Sequence, residues 1–303
     1  MDRALQDSTI KVSVIMPSYN HGHFIDKAIE SVINQTFNNW EIIVIDNHST
    51  DNTQEVLKKY KDINLRKISI KNKGIIAASR NLGIENSQSE YIAFLDSDDV
   101  WYPNKLEVCL ELLSHNYDMV CHAEKWTGLS KDKNVFYGPE HRTSYDSLLF
   151  SGNCLSTSAV VLKKEILSSV NGFSEEPTFN TAEDYDLWLR ISKENKKIGI
   201  VNEVLGEYRL HDSNESQSGF KNMEAIMSVL KFHLKENNGT GILHHFRSKN
   251  CLAKVVYGTG RVLQKQGKFG KASMLFLKSI LSFPMNIKFY IALISCLFRI
   301  KLI

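Results

Sequence analysis

The first two hundred residues alternate between short apolar runs of strand length and segments with the apolar spacing of a helix. Three runs have the length and composition of buried strands, VSVIM (12–16), EIIVID (41–46) and YIAFLD (91–96), and LRKISI (65–70) is a weaker strand. Between them, apolar residues recur every three or four positions, as on one face of an amphipathic helix. Because parallel strands are joined by helical crossovers, this alternation predicts an α/β fold with a mostly parallel central sheet flanked by helices.

Polar residues directly follow the last apolar residue of three of these runs. The three polar clusters are PSYN (17–20), DNHST (46–50) and DSDD (96–99). In sheets of this kind, ligands bind beyond the carboxyl ends of the strands. We therefore expect the three clusters to meet at one edge of the sheet and to form a ligand site there.

The DSDD cluster places three carboxylates, Asp96, Asp98 and Asp99, within four residues. Carboxylates this close repel one another unless a positive charge lies among them. Mg²⁺ and Mn²⁺ are commonly held by one or two carboxylates together with substrate phosphates and water. The alternative is a helix cap near Tyr102, which accounts for one carboxylate or, with a cation nearby, two. The cluster favours a divalent-metal and phosphate site.

Four phrases, in order, resemble the family 2 glycosyltransferases over about residues 11–212. The phrases are VSVIMPSYNHGHFIDKAIESVINQTFNNWEIIVIDNHSTDNT, GIIAASRNLGIENSQSEYIAFLDSDDVWYPNKL, NGF and TAEDYDLWLRI. The resemblance implies the GT-A fold, a Rossmann-like architecture, and inverting, metal-dependent transfer from nucleotide-activated sugars. It also implies a role in a bacterial surface polysaccharide such as O-antigen or capsule, with a saccharide or lipid-linked saccharide as acceptor.

The resemblance assigns roles within the acidic cluster. Asp96-Ser97-Asp98 is similar to the family's D-x-D motif, in which Asp98 would contact the metal that bridges the donor diphosphate. Asp96 would contact the ribose or the sugar of the donor. EYRLHDSNES (207–216) is similar to the end of the family's catalytic domain, which implies His211 as a further metal or diphosphate ligand. The alternative for His211 is a structural role.

The resemblance also places nucleotide contacts on the first two clusters. They are Pro17, Ser18, Tyr19 and Asn20 in the first cluster and Asp46 and Asn47 in the second. Tyr19 would stack on the base, with a packed loop aromatic as the alternative. The family's commonest form has two aspartates and then glycine where this sequence has Asp46, Asn47 and His48. The uncharged Asn47 leaves both UDP- and dTDP-sugars open as donors.

Arg80 lies in SRNLG (79–83), where the family often has an arginine. The resemblance implies that this arginine lies near the diphosphate or forms a salt bridge with the D-x-D strand. The alternative is a solvated residue on the outer face of a helix.

TAEDYDLW (181–188) supplies candidates for a general base. Direct displacement at the sugar carbon requires the acceptor hydroxyl to lose a proton as it attacks, and a carboxylate can accept that proton. The resemblance implies Asp184 as this base, with Glu183 beside it. From the residues alone, Thr181 and Asp184 also match a helix capping box, and Asp186 is interpreted as a solvated acid.

Composition and motifs exclude several other classes of protein. The formal net charge is only +3 and there is no arginine-rich stripe, so no nucleic-acid partner is expected. Five cysteines without C-x-x-C spacing indicate reduced thiols in a cytoplasmic protein. Two interpretations besides glycosyl transfer stay open: another metal-dependent phosphate enzyme such as a nucleotidyltransferase, and a non-catalytic scaffold with the same fold.

The sequence becomes entirely helical in character after about residue 218. We predict a catalytic domain over residues 1–215 and a helical region over 216–303. Its last apolar stretch, 289–298, is too short to span a bilayer and is flanked by Lys288, Arg299 and Lys301. Two roles fit this stretch: docking on the domain or on a second subunit, and peripheral attachment at the inner face of the cytoplasmic membrane.

Overall fold

The first four strands form a parallel sheet in the order β3-β2-β1-β4. The computed structural model describes residues 11–128, 131–211, 219–237 and 239–301. The four strands are β1 (Val12–Ser18), β2 (Trp40–Asp46), β3 (Leu65–Ser69) and β4 (Tyr91–Phe94). β1 pairs with both β2 and β4, and all of its residues are buried. A strand covered on both faces needs no polar side, which explains its continuous apolar run.

Helices follow each of these strands, as the alternation predicts. They are α1 (Ile25–Ile33), α2 (Thr53–Leu57), α3 (Ile76–Asn86) and α4 (Lys105–Ser114). The sequence STDNT (49–53) predicts a helix that is capped by Ser49 or Thr50 and continues through Tyr60, but α2 ends at Leu57 and neither residue caps it. Ser49 donates its hydroxyl to Asp46, and the carboxylate of Asp51 accepts hydrogen bonds from the N–H and hydroxyl of Thr53 at 3.0 and 2.5 Å.

Beyond β4 the sheet is mixed, whereas the sequence predicts a mostly parallel one. The remaining strands are β5 (Val100–Trp101), β6 (Met119–Thr127), β7 (Lys133–Val135), β8 (Val160–Lys163) and β9 (Ile198–Arg209). The sheet continues from β4 through β8, β6 and β9 to β5, and β7 pairs with β6. β6 and β9 are parallel, while β8, β7 and β5 pair antiparallel with their neighbours. Apolar periodicity identifies a buried strand but does not give its direction, which depends on how the chain returns to the sheet.

The chain divides into two compact units. The first comprises Met1–Ser144, Cys154–Glu175 and Arg190–His211, and the second comprises Tyr145–Asn153, Glu176–Leu189 and Asp212–Ile303. The sheet lies in the first unit. The predicted boundary between residues 215 and 216 falls outside the described residues and stays a prediction. Two segments that precede that boundary nevertheless belong to the second unit.

Helices make up most of the second unit. The remaining α-helices of the described residues are α5 (Tyr145–Ser151), α6 (Lys164–Ser169), α7 (Glu183–Lys193), α8 (Gly219–Glu236), α9 (Ile242–Lys265), α10 (Phe269–Ser282) and α11 (Ile287–Leu297). Of these, α6 and the end of α7 belong to the first unit. A core that joins α9, α10 and α11 consists of Val256, Leu263, Ala272, Leu275, Phe276, Ala292 and Cys296. Within the described ranges, no helix combines the length and the hydrophobicity needed to cross a bilayer.

Candidate active site

The three polar clusters meet beyond the carboxyl ends of β1, β2 and β4. Asn20 connects the first cluster to the second, because its N–H donates to the Ser49 hydroxyl at 2.9 Å and its side-chain oxygen accepts from the Thr50 N–H at 2.8 Å. His21 connects the first cluster to the acidic one, with Nδ1 2.7 Å from the hydroxyl oxygen of Ser97. The strand order accounts for this meeting, since β1 lies between β2 and β4.

Two residues of these loops adopt a left-handed backbone. Asn20 has φ of 54° and His48 has φ of 53°. This conformation favours glycine and, among other residues, asparagine, aspartate and histidine. The glycine of the family's commonest form at the position of His48 therefore has a backbone explanation. Histidine is one of the substitutions that keep the turn intact.

Asp46 and Asn47 each shape the second cluster. The Asp46 side chain is buried, and its carboxylate accepts from the Ser49 hydroxyl at 2.6 Å and from the Gln54 amide at 2.5 Å. The side-chain oxygen of Asn47 accepts from the N–H of Asn72 at 3.1 Å. A carbonyl oxygen keeps a second lone pair, so this bond is compatible with accepting a base N–H as well. The nucleotide roles of both residues stay predictions.

The first cluster divides into a buried part and an exposed part. Pro17 and Ser18 are the last residues of β1 and are buried, and within the described residues the Ser18 hydroxyl makes no hydrogen bond. Tyr19, the next residue, is 55% exposed. The alternative in which Tyr19 is a packed loop aromatic is therefore wrong. An exposed ring at this edge is available for stacking on a planar ligand.

Two carboxylates of the acidic cluster face two different nitrogen-bearing side chains. Asp96 Oδ1 accepts from Arg80 Nη2 at 2.8 Å, and Asp98 Oδ2 lies 2.9 Å from His211 Nε2. Arg80 is 3% exposed, and its guanidinium also lies 5.3 Å from the centre of the Phe173 ring. The solvated interpretation of Arg80 is therefore wrong, and the salt bridge with the acidic cluster is present.

The third carboxylate, Asp99, is buried and has a structural task. Its two oxygens accept from the Ser158 hydroxyl at 2.6 Å and from the backbone N–H of Arg209 in β9 at 3.0 Å. Burial, and then the negative charge of Asp98, raise the pKa of Asp99 well above its ordinary value. Three carboxylates coexist in this turn for two reasons. Each has its own partner, and burial makes ionisation of Asp99 unfavourable.

Asp98 and His211 provide a donor pair that suits a divalent ion. Neighbouring ligands of an octahedral Mg²⁺ at about 2.1 Å from the metal lie about 3.0 Å apart. The 2.9 Å between Asp98 Oδ2 and His211 Nε2 fits that separation. Among the described residues, no group of three or more His, Cys, Asp or Glu side chains is placed to hold a metal. The metal-binding roles of both residues stay predictions.

Three residues near this pair are absent from the predicted site: His21, Phe24 and Arg209. The Phe24 ring stacks on His211 with 4.4 Å between ring centres, and the Arg209 guanidinium lies 5.2 Å from the centre of Phe24. Burial lowers the pKa of His21, against the opposing influence of Asp98. The HGH triplet (21–23) after PSYN is the sequence signal for this part of the site. Its middle residue is glycine because a side chain at Gly22 would collide with Asn52.

The predicted base, Asp184, lies in the first turn of α7, within the second compact unit. It is partly exposed, and Oδ1 accepts from the N–H of Tyr185 at 2.6 Å. Its neighbour Glu183 is buried, and Oε2 accepts from the N–H of Thr181 at 2.8 Å. Glu183 therefore completes the turn that precedes α7. The predicted capping box assigns this role to Asp184.

The prediction that Asp186 is solvated is wrong. This side chain is 1% exposed, and its Oδ1 lies 3.0 Å from Nε2 of His233 in α8. His233 is equally buried. Helical spacing places Asp186 outside the apolar stripe of α7, but α8 covers that face of the helix.

Comparisons with known proteins agree with this fold and with these motifs. The model of Glycosyl transferase family 2 matches residues 13–166. The chain is 35% identical over 223 residues to WfgD of Escherichia coli, UDP-Glc:alpha-D-GlcNAc-diphosphoundecaprenol beta-1,3-glucosyltransferase, covering 72% of this chain and 85% of that protein. It is 32% identical over 220 residues to TuaG of Bacillus subtilis, a putative teichuronic acid biosynthesis glycosyltransferase, covering 69% and 83%.

Solved structures share the fold at low sequence identity. S. aureus TarS 1–349 in complex with UDP-GlcNAc superposes with a TM-score of 0.64 at 18% identity, covering 95% of this chain and 88% of that one. The mannosyltransferase PcManGT from Pyrobaculum calidifontis, in complex with GDP-Man and Mn²⁺, gives 0.62 at 14% identity, with 96% and 85% covered. The chain therefore belongs to glycosyltransferase family 2 and is a glycosyltransferase of GT-A fold.

Proposed function

We propose that this enzyme moves a sugar, with inversion, from a UDP- or dTDP-sugar to a hydroxyl of a lipid-linked saccharide during synthesis of a cell-surface polysaccharide. The names of WfgD, with its diphosphoundecaprenol-linked acceptor, and of TuaG support this class of reaction. The observation that carries the proposal is the Asp98–His211 pair beside three loops that meet at one sheet edge.

The donor would be held by the first two clusters. The exposed Tyr19 ring would stack on the base, and the side-chain oxygen of Asn47 would accept the imide N–H that uracil and thymine share. UDP in the name of WfgD and in the TarS complex supports a UDP-sugar over a dTDP-sugar.

A divalent ion, Mg²⁺ or Mn²⁺, would be held by Asp98 and His211, and the Mn²⁺ in the PcManGT complex supports this. When bound, such an ion supplies positive charge against the diphosphate leaving group. Arg80 fixes the orientation of Asp96, and Asp99 ties the acidic turn to β9 through the Arg209 N–H. These contacts hold the turn in shape in the absence of donor, so little ordering is required when the diphosphate arrives.

Asp184 would accept the proton of the acceptor hydroxyl. In a single displacement, the acceptor oxygen forms a bond to the anomeric carbon as the bond to the diphosphate oxygen breaks, and the configuration inverts. The hydroxyl proton moves to the Asp184 carboxylate, and the nucleoside diphosphate leaves with the bonding electron pair. General-base catalysis of this kind is worth about 10²- to 10⁴-fold in rate.

We place the enzyme at the inner face of the cytoplasmic membrane as a peripheral protein. A polyprenyl-diphosphate acceptor, as in the name of WfgD, would be anchored there.

Two substitutions and a matched control test the proposal. We expect Asp184→Asn to retain the rise in melting temperature caused by UDP with Mn²⁺ but to lower sugar transfer at least about 100-fold. We expect Asp98→Ala to lose that Mn²⁺-dependent rise. Asp62→Asn, at an exposed aspartate outside the site, should match the wild type in both measurements. The amount of nucleoside diphosphate released measures transfer to a polyprenyl-diphosphate sugar.

Three results would contradict the proposal. Undiminished transfer by Asp184→Asn would remove that residue as the base. Donor binding by the wild type without transfer to any saccharide acceptor would favour the scaffold. Release of pyrophosphate from a nucleoside triphosphate would favour a nucleotidyltransferase.

A further inference from the structure

Charge is distributed very unevenly along this chain. Residues 237–303 contain eleven lysines and arginines and no aspartate or glutamate. Since the whole chain has a formal charge of +3, residues 1–236 carry −8. A helical segment whose charged side chains are all positive has a strong preference for a negatively charged partner.

The same helices expose large apolar side chains in stripes. On α11 four exposed residues recur every three or four positions: Ile287, Ile291, Ile294 and Leu297; Phe298, directly after the helix, is also exposed. The opposite face of α11, with Phe289, Ala292 and Cys296, is buried. On α10, Met274, Leu277 and Leu281 form a similar exposed stripe, and Lys271 and Lys278 lie beside it.

A shallow groove of about 550 Å³ continues the exposed face of α11 at its amino-terminal end. Its lining is Pro284, Met285, Ile287, Tyr290, Ile291 and Ile294. Contiguous apolar surface rimmed by charge is characteristic of an interaction site and not of an ordinary solvated helix. Each of the two helices has both an exposed apolar stripe and at least one exposed cation.

We propose that the exposed face of α10 and α11 is a docking surface for an anionic lipid bilayer. Apolar side chains would enter the boundary between headgroups and acyl chains, and lysines would meet lipid phosphates. A symmetric dimer is the competing occupant, but it would place two uniformly positive surfaces against each other. This inference rests on the proposed lipid-linked acceptor, and it is tested without catalysis.

Co-sedimentation of the full chain with vesicles tests the docking surface. We expect binding to phosphatidylcholine vesicles that contain 30% phosphatidylglycerol, weak binding to pure phosphatidylcholine, and a strong decrease in 0.5 M NaCl. The double variant Ile294→Ser/Leu297→Ser should bind at least about tenfold more weakly, because two apolar contacts are lost. Phe136→Ser, at a similarly exposed aromatic in the first unit, should bind like the wild type.

A charge variant separates the electrostatic part of the binding. Lys271→Gln/Lys278→Gln should weaken binding about tenfold, and Lys58→Gln, at an exposed lysine of the first unit, should not. Equal binding to neutral and anionic vesicles would overturn the inference. So would a dimer in solution that Ile294→Ser/Leu297→Ser dissociates, since that result assigns the surface to a second copy. The proposed reaction would survive either outcome.

A second inference concerns the residues around Asp184 within the second unit. Helix α8 contacts the segment that carries this residue at three places. The contacts are Phe232 with Phe179, 5.8 Å between ring centres, Asn222 Oδ1 with the Thr181 hydroxyl at 3.4 Å, and His233 with Asp186 at 3.0 Å. Asp184 lies between the second and third of these contacts in sequence.

The backbone just before α7 is strained. Thr181 has φ of 87°, a conformation that β-branched residues rarely adopt. Such strain persists only where neighbouring contacts enforce it. Here the Thr181 N–H donates to Glu183, and its hydroxyl contacts Asn222 of α8.

The geometry points to His233 as a positioning residue for Asp184. Its ring is buried, with Nε2 on Asp186 and with its backbone oxygen accepting from the Tyr145 hydroxyl at 3.3 Å. Only Tyr185 separates Asp184 from Asp186, so the first turn of α7 cannot rotate without breaking the buried pair. The inference rests on the proposed role of Asp184 as the base.

Kinetics of two His233 variants distinguish positioning from simple stabilisation. We expect His233→Ala to lower kcat at least about tenfold with an unchanged KM for the donor, measured per folded enzyme. His233→Gln places an amide nitrogen near the position of Nε2 and should recover most of kcat. His245→Ala, at an exposed histidine of α9, is the control and should leave kcat unchanged.

Each outcome of this experiment decides one point. A fall in melting temperature for His233→Ala with unchanged kcat would show a purely structural role and overturn the inference. Equal loss of kcat in His233→Ala and His233→Gln would also overturn it, because the Asp186 contact would then not be the cause. Absence of transfer by the wild type would instead contradict the proposed function itself.

Discussion

The sheet-containing unit and the helical carboxyl-terminal region differ in the sign and the location of their charged residues. Residues 1–236 carry a formal charge of −8, and the first unit buries Arg80, Asp99 and Lys105. Residues 237–303 carry +11, and nearly all of those cations are at least partly exposed. Residues 1–236 thus place several ionisable side chains in the interior, whereas residues 237–303 place their cations at the surface.

Apolar side chains show the reverse distribution. Among the described residues, the exposed large apolar side chains of the first unit are Tyr19 and Phe136, while those of the second unit are more numerous, with some on α8 and α9 and stripes along α10 and α11. A unit that binds a charged nucleotide benefits from internal charges that fix its loops. A unit that binds a bilayer benefits from apolar surface. The first unit should therefore respond strongly to pH, and the helices to salt.

The largest effect is expected from Lys105, whose side chain is fully buried in the first unit. Its Nζ lies 3.4 Å from the centre of the Trp101 ring and, among the described residues, makes no hydrogen bond. Burial lowers the pKa of Lys105 to about 7. Between pH 7 and 10 the unfolded chain therefore binds more protons at this residue than the folded protein, so this group makes the free energy of unfolding rise with pH.

Lys105→Met removes that contribution. Relative to the variant, the wild type should gain up to about 1.4 kcal/mol of unfolding free energy per pH unit from pH 7 toward 10. Urea unfolding at a series of pH values measures the difference. Lys265→Met, at an exposed lysine of α9, should follow the wild-type profile. Parallel profiles for the wild type and Lys105→Met would show that the buried amine does not titrate in this range.

A smaller effect separates a buried ion pair from an exposed one. Arg80→Met leaves Asp96 without its partner, and we expect a loss of about 2 kcal/mol, reduced from the value for fully buried pairs because 29% of the Asp96 side chain is exposed. Arg247→Met breaks an exposed pair with Asp146 in the second unit, where a loss below about 1 kcal/mol is expected. Similar losses in thermal unfolding would contradict the contrast between the units.

The sequence predicts the strands of the first half and the meeting of the three polar clusters, for a physical reason. Strands β1, β2 and β4 are buried on both faces, and their apolar runs end where the polar residues begin. Directions of β8 and β6 could not be predicted in this way, because a buried strand has the same composition in either direction.

Two residues with a solvated interpretation or alternative, Asp186 and Arg80, are buried for the same physical reason. Asp186 is interpreted as solvated because helical spacing places it off the apolar stripe of α7. A solvated Arg80 is an alternative because arginine side chains commonly keep their charged ends in water. Both are buried by partners distant in sequence, His233 and Asp96. The sequence does not indicate a role for His21, because its contact with Ser97 spans 76 residues. Apolar periodicity indicates which side of a helix or strand faces a hydrophobic core. It does not indicate which polar side chains from other parts of the chain lie there.

The smallest effect is expected from the left-handed turn of the second cluster. His48 has φ of 53°, where a non-glycine residue is disfavoured by about 1–2 kcal/mol, while glycine adds entropy to the unfolded chain. The two contributions oppose each other, so His48→Gly should raise the free energy of unfolding by less than about 1 kcal/mol. His23→Gly, at an exposed histidine without a left-handed backbone, should lower it. If His48→Gly destabilises the protein as much as His23→Gly does, the imidazole makes contacts that outweigh the backbone preference, and the first unit stores less strain at this turn than its geometry indicates.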